Sequence, residues 1–228
     1  MSCSPPKPIP HDDSVILLTG FDPFDGHTLN PSWRIAQALD GQRIAGHRVM
    51  SAQLPTIFGA SLQELDALIA RHKPAVTLCL GQAGGRQALS LERVGININD
   101  ARIPDNAGCQ PIDTPVVPGG PAAYFSNLPV KAMLQAVQCA GVPCEVSQTA
   151  GTFVCNHVLY GLMHLLHRQR TQATGSAGAR GGFMHVPWLP EQGTPHLALR
   201  DMVRGTYAAL WAAVLAQDDL QLGAGATH

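Results

Sequence analysis

The chain has 228 residues and 45% hydrophobic content, enough for one substantial core. Charged residues make up 14% and the formal net charge is -1, which leaves no electrostatic basis for nucleic acid or an anionic membrane as partner. No window approaches the roughly 20 apolar residues needed to cross a bilayer, and the N-terminus lacks the apolar stretch of a secretory signal. A cytoplasmic protein is expected, with one domain over 14–217 between flexible tails at 1–13 and 218–228.

Strand and helix patterns alternate along the chain. Ser14 to Thr19 is a short β-branched apolar run ending at Gly20, as in a buried parallel strand. Asn30 to Leu39 reads as helix, with Asn30 as cap and Pro31 at the first helical position. His47 to Leu54 suits a strand, and Ser61 to Arg71 places Leu62, Leu65, Leu68 and Ile69 on one helical face. Ala75 to Leu80 is another buried strand, stopped by Gly81-Gln-Ala-Gly-Gly-Arg86. Leu91 to Ile98 should be extended, and Asp100 to Asn127, broken by prolines and glycines, irregular.

Pro129 to Cys139 predicts a helix, Glu145 to Gln148 a strand, and Cys155 to Arg168 a helix with Val158, Leu159, Leu162, Met163 and Leu166 on its apolar side. After a Ser/Gly/Ala-rich loop over 171–182, Phe183 to Val186 gives a last strand. A long helix is expected from Thr194-Pro195, with Thr194 as its cap. This alternation implies an α/β layered fold with a mainly parallel sheet, whose sites lie at the carboxyl ends of strands.

The six cysteines, Cys3, Cys79, Cys109, Cys139, Cys144 and Cys155, show no C-x-x-C pair, so free thiols are expected. Cys155 stands apart. It follows Thr152-Phe-Val where a turn feeds a helix, and unpaired N–H groups at a helix start favour a thiolate. A buried structural cysteine is the competing reading. A thiol nucleophile also needs a base. Of ten histidines, His157 lies about 200° around the helix from Cys155 and is a poor partner. His185 closes an apolar strand before a proline-stiffened loop and could face the same side as Cys155; a satisfied core histidine is its alternative. An orienting carboxylate completes such a set. Glu92 lies in an otherwise apolar segment, though an ion pair with Arg93 or Arg102 would also explain it. Asp22, Asp100 and Asp105 are rivals for the same role. The Cys and His spacings match no zinc site, and the glycine-rich loop has neither a Walker lysine nor a dinucleotide fingerprint.

Four stretches, in order, resemble the pyroglutamyl peptidase I family of cysteine peptidases. They are Gly20-Phe-Asp-Pro-Phe24 with Asn30-Pro-Ser32; Gly81 to Arg86 with Leu91 to Asn106; Ala150-Gly-Thr-Phe-Val-Cys-Asn-His157; and Gly182-Phe-Met-His-Val-Pro187. The resemblance runs from about residue 15 to 215, with Gly95 in place of an expected alanine and Trp188 in place of a common tyrosine. It implies an α/β/α sandwich, no cofactor, no metal and a homotetramer. It also implies Cys155 as nucleophile, His185 as base and Glu92 as orienting acid.

The substrates implied are peptides with an N-terminal pyroglutamyl residue, cleaved through a pyroglutamyl thioester. Pyroglutamate has no free α-amine, so its pocket should be neutral and mostly apolar, with a few polar groups for the lactam. Phe21 and Phe24 are suitable walls, with core packing as the alternative. The resemblance adds Ile103, Phe153 and Val154, the Gln82 backbone for the lactam, Arg102 near the oxyanion, and Asn30 as a tie between loops. Two other classes compete: a glutamine amidase using the same residue types, and a small-molecule-binding protein in which Cys155 is inert.

Overall fold

The computed structural model describes residues 14–172 and 178–225. Nine strands and five helices follow one another within them. The strands are β1 (Val15–Phe21), β2 (Arg43–Ile44), β3 (His47–Leu54), β4 (Val76–Gln82), β5 (Leu89–Glu92), β6 (Val94–Ile96), β7 (Ala123–Phe125), β8 (Cys144–Ser147) and β9 (Arg180–Val186). The helices are α1 (Pro31–Leu39), α2 (Ala60–His72), α3 (Val130–Cys139), α4 (Val154–Gln172) and α5 (Leu199–Leu215).

Seven strands form the central sheet in the order β2-β3-β1-β4-β9-β5-β8, while β6 and β7 pair as a separate ribbon. The β1–β3, β1–β4, β4–β9 and β5–β8 pairs are parallel; β2–β3 and β5–β9 are antiparallel. The expected mainly parallel α/β sheet is what the chain adopts.

Strand periodicity sorts the core into two layers. Ile16 and Leu18 of β1, Val76, Leu78 and Leu80 of β4, and Met184 and Val186 of β9 face α1, α3 and α5. Leu17 and Phe21, Cys79, and Phe183 point the other way, against α2 and α4. On this second side β4 presents Gly81 after Cys79, β9 presents His185 after Phe183, and β5 presents Glu92. The functional candidates therefore share the α4 face of the sheet.

Local signals explain most element ends. Asn30 caps α1 through its Oδ1, which accepts from the Ser32 N–H at 3.1 Å, and Pro31 opens the helix. The expected start of the last helix at Thr194 is wrong: α5 begins at Leu199. The Leu197 N–H instead donates to the Trp188 carbonyl at 3.0 Å, and Trp188 bridges to His196, which holds 194–197 in a loop. The 100–127 stretch, expected to be irregular throughout, contributes β7, because Val94–Ile96 offers it a free edge. Within the expected C-terminal tail, the Asp219 carboxylate accepts from the N–H groups of Lys131 and Ala132 at the start of α3.

Candidate active site

The site begins where β4 and β9 run side by side. Gly81 is the register partner of His185, so both present the same face. Above Gly81 sits the sulfur of Cys155, in the first turn of α4. A Cβ built on residue 81 would lie 2.7 Å from that sulfur and 2.6 Å from Phe183 Cζ, so glycine alone leaves room for the thiol over the strand.

From β5, Glu92 Oε1 accepts from His185 Nδ1 at 2.7 Å, which leaves Nε2 of that imidazole without its proton. Glu92 is 1% exposed and His185 4%, so this contact is shielded from water. The same Oε1 accepts from Arg86 Nη1 at 2.8 Å, while Oε2 is buried and makes no hydrogen bond among the described residues. The partner of Glu92 is thus neither Arg93 nor Arg102. In the sequence Arg86 stands only at the end of a glycine-rich stretch, and nothing there shows that the turn folds back onto β5.

The expected rival acids are occupied elsewhere. Asp22 accepts from the Thr56 N–H and hydroxyl at 2.7 and 2.6 Å, and Asp105 from the N–H groups of Phe58, Ala107 and Cys109. Asp100 is exposed, with its N–H and carbonyl bonded to Thr152.

The electrostatics differ from a resting thiolate. Loss of water around the sulfur, followed by the negative charge of Glu92, pushes Cys155 up to about 12, and only Arg86 pulls the other way. Burial holds His185 below its ordinary value against the opposing pull of Glu92. Burial and the charge of Glu92 thus work against the thiolate that a helix N-terminus favours.

The chain as a whole has counterparts. A family model described as pyroglutamyl peptidase matches residues 14–216. The chain belongs to the pyroglutamyl peptidase family. A pyrrolidone-carboxylate peptidase of Klebsiella pneumoniae is 52% identical over 218 residues, covering 93% of this chain and 99% of that one. The crystal structure of pyroglutamyl peptidase I from Bacillus amyloliquefaciens superposes with a TM-score of 0.88 at 43% identity, covering 92% of this chain and 100% of the other. Pyrrolidone carboxyl peptidase from Thermococcus litoralis gives 0.86 at 30% identity, covering 92% and 99%.

The residues expected to bind substrate fall into four groups. Phe24 and Phe153 are half-buried with ring centroids 6.1 Å apart, and Ile103 is half-buried too. Phe21 and Val154 lie in the core at 3% and 0% exposure; Phe21 packs 6.3 Å from the Phe183 ring and supports the site from below. Asn30 donates to the Asp22 carbonyl at 3.0 Å, joining α1 to the Phe21–Phe24 loop, and Gln82 Oε1 accepts from Gln192 at 2.9 Å. Arg102 is exposed and makes no ion pair among the described residues. In place of the family's expected alanine, Gly95 lets β6 approach α4 so closely that a Cβ would stand 2.9 Å from the Tyr160 nitrogen.

His157, set aside as a base, has a different place. Its Nδ1 donates to Asn99 Oδ1 at 3.0 Å and its Nε2 accepts from the Gly59 N–H at 3.0 Å. Phe58, beside Gly59, meets Phe153 edge-on at 5.4 Å. Burial lowers His157 to about 4 from 6.5. The unfolded chain therefore binds this proton near pH 6.5 while the fold refuses it until about pH 4. Stability from the neutral ring is complete above 6.5 and is lost as pH falls through that window, on the order of 2 kcal/mol by pH 5. Between pH 7 and 5, the melting temperature of H157Q is expected to fall several degrees less than that of the parent; equal falls would exclude this proton linkage.

Proposed function

We propose that this protein hydrolyses the bond after an N-terminal pyroglutamyl residue, with Cys155 as nucleophile, His185 as base and Glu92 as orienting acid. The observation that carries the reading is the 2.7 Å Glu92–His185 contact, on the same sheet face as the thiol held over Gly81. Family membership supports the substrate class.

In the proposed reaction, His185 Nε2 takes the thiol proton as the sulfur attacks the pyroglutamyl carbonyl. The developing imidazolium is stabilised by Glu92. The oxyanion forms at the start of α4, where the Cys155 N–H can donate and Arg102 can approach from its exposed loop; one such donor is worth about 3 kcal/mol of barrier. His185 then protonates the departing amine, leaving a pyroglutamyl thioester. Water activated by the same imidazole hydrolyses it and restores the thiol. Phe24, Phe153 and Ile103 offer apolar walls for the lactam ring, and Gln82, held by Gln192, lines the polar side.

No helix among the described residues is long and apolar enough to cross a membrane. Cytoplasmic action as a homotetramer is part of the same proposal. Ile112, 69% exposed in the proline-rich loop over 111–118, supports a subunit interface there.

The test is release of aminomethylcoumarin from its pyroglutamyl, prolyl and glutaminyl amides by the purified protein with reductant present. The pyroglutamyl compound should be cleaved with kcat/KM at least ~100-fold above the prolyl one, because proline leaves the lactam partners unpaired. Preferential attack on free glutamine would instead establish an amidase. Inertness of the folded protein toward all of them would remove the peptidase reading.

A further inference from the structure

Arg86 ends the turn that follows β4, and its guanidinium bridges two other segments. Nη1 donates to Glu92 Oε1 at 2.8 Å, and Nη2 donates to the Thr149 carbonyl at 3.2 Å. Thr149 lies in the loop that leads into Cys155. A single planar fork therefore joins the turn carrying Arg86, the acid on β5 and the approach to the nucleophile. On Glu92 it shares one oxygen with the His185 Nδ1–H, so the carboxylate cannot rotate without breaking both contacts. The guanidinium is 24% exposed and the carboxylate 0%, which places this charge at the rim of a water-poor site.

We propose that Arg86 is a positioning residue of the proposed peptidase site, fixing the Glu92–His185 pair relative to Cys155 and supplying a positive charge that faces both base and nucleophile. The inference rests on the catalytic reading above. Among the described residues, three charged or titratable groups act on the two reacting side chains. Glu92 of β5 and Arg86 act on His185, and Glu92, Arg86 and the buried Cys79 of β4 act on Cys155. Glu92 and Cys79 raise the groups they face, and Arg86 alone lowers both. Without Arg86, the carboxylate that stabilises the imidazolium would also hold the thiol protonated further above neutral pH.

The test is the pH profile of kcat/KM for the parent, R86A, R86Q and R86K, with pyroglutamyl-aminomethylcoumarin as substrate. Removing the positive charge raises both groups, and the reactive form is the deprotonated one. The acidic limb should therefore move up by about 1 pH unit in R86A and R86Q, with a larger loss at pH 6 than at pH 8. R86K keeps the charge and should keep the limb near the parent's, while losing several-fold in kcat because an ammonium cannot span Glu92 and the Thr149 carbonyl together. A limb unmoved in both neutral variants, with rates lowered evenly across pH, would overturn the proposal and leave a structural ion pair.

Alkylation of the Cys155 peptide by iodoacetamide, followed by mass spectrometry across pH, reads the same charge without turnover. Its midpoint should rise in R86Q and stay near the parent's in R86K. If the parent alkylates with this Arg86 dependence yet cleaves no pyroglutamyl amide, the peptidase reading fails and the assignment of Arg86 stands. If the parent cleaves the amide and neither profile moves, the reverse holds. Should R86A not fold, R86Q and R86K decide the outcome.

Discussion

Replacing Cys155 by serine is expected to reduce pyroglutamyl-amide hydrolysis by a factor on the order of 10^4 or more, with the melting temperature changed by only a few degrees. The loss follows from the resting state of the site. In the proposed mechanism the thiol, pushed up to about 12 by burial and Glu92, reacts as its proton passes to His185. A hydroxyl holds its proton still more tightly, and oxygen is a poorer nucleophile toward the carbonyl. The smaller oxygen fits over Gly81, where the sulfur lies 2.7 Å from the position of a missing Cβ, so folding should survive. Initial rates and thermal melts check both halves. Acid quenching during turnover should also trap a single pyroglutamyl group on the parent and none on C155S. Undiminished hydrolysis by the serine variant would remove Cys155 as nucleophile.

The second large effect is expected for Glu92→Gln, with kcat lowered by about 10^2 to 10^4. Glutamine keeps the shape of the side chain but loses the charge that stabilises the imidazolium in the transition state. Its amide nitrogen must also replace one carboxylate oxygen. At the Oε1 position it would face two donors, His185 Nδ1 and Arg86 Nη1. At the Oε2 position it would be buried among described residues that offer that atom no partner. Either placement disturbs the tautomer of His185 or leaves a buried donor unsatisfied, at about 1–3 kcal/mol. Because the charge of Glu92 raises both Cys155 and His185, the acidic limb of kcat/KM should move down in E92Q, opposite to its direction in R86Q. A pH–rate profile beside a thermal melt measures this, and a fully active E92Q would exclude Glu92 from the mechanism.

Local signals were legible where one residue's chemistry decides. The Asn30-Pro31 start of α1 and the apolar runs of β1 and β4 needed no distant contact, although β4 runs on through Gly81 to Gln82, beyond its expected end at Leu80. Thr194-Pro195 has an equally good local pattern for a helix start. It failed because Leu197 finds a backbone partner in Trp188, a contact that no window of sequence contains.

By itself the sequence determined the alternating α/β architecture and the four stretches that place the chain in its family. Through the family resemblance of those stretches it also implied Cys155, His185 and Glu92 as the catalytic set. The architecture depends on periodicity, local backbone preference and residue type, all of which are written along the chain. Only the tertiary structure decided which acid meets the histidine, because Glu92 and His185 are 93 residues apart and the rivals Asp22 and Asp105 are taken by backbone donors. It likewise decided that Arg86 turns back onto Glu92, that His157 braces the Gly59 turn, and that burial works against the thiolate. Each of these depends on burial and on distances of about 3 Å between segments remote in sequence. Such distances exist only once the sheet has brought β4, β5 and β9 together beneath α4.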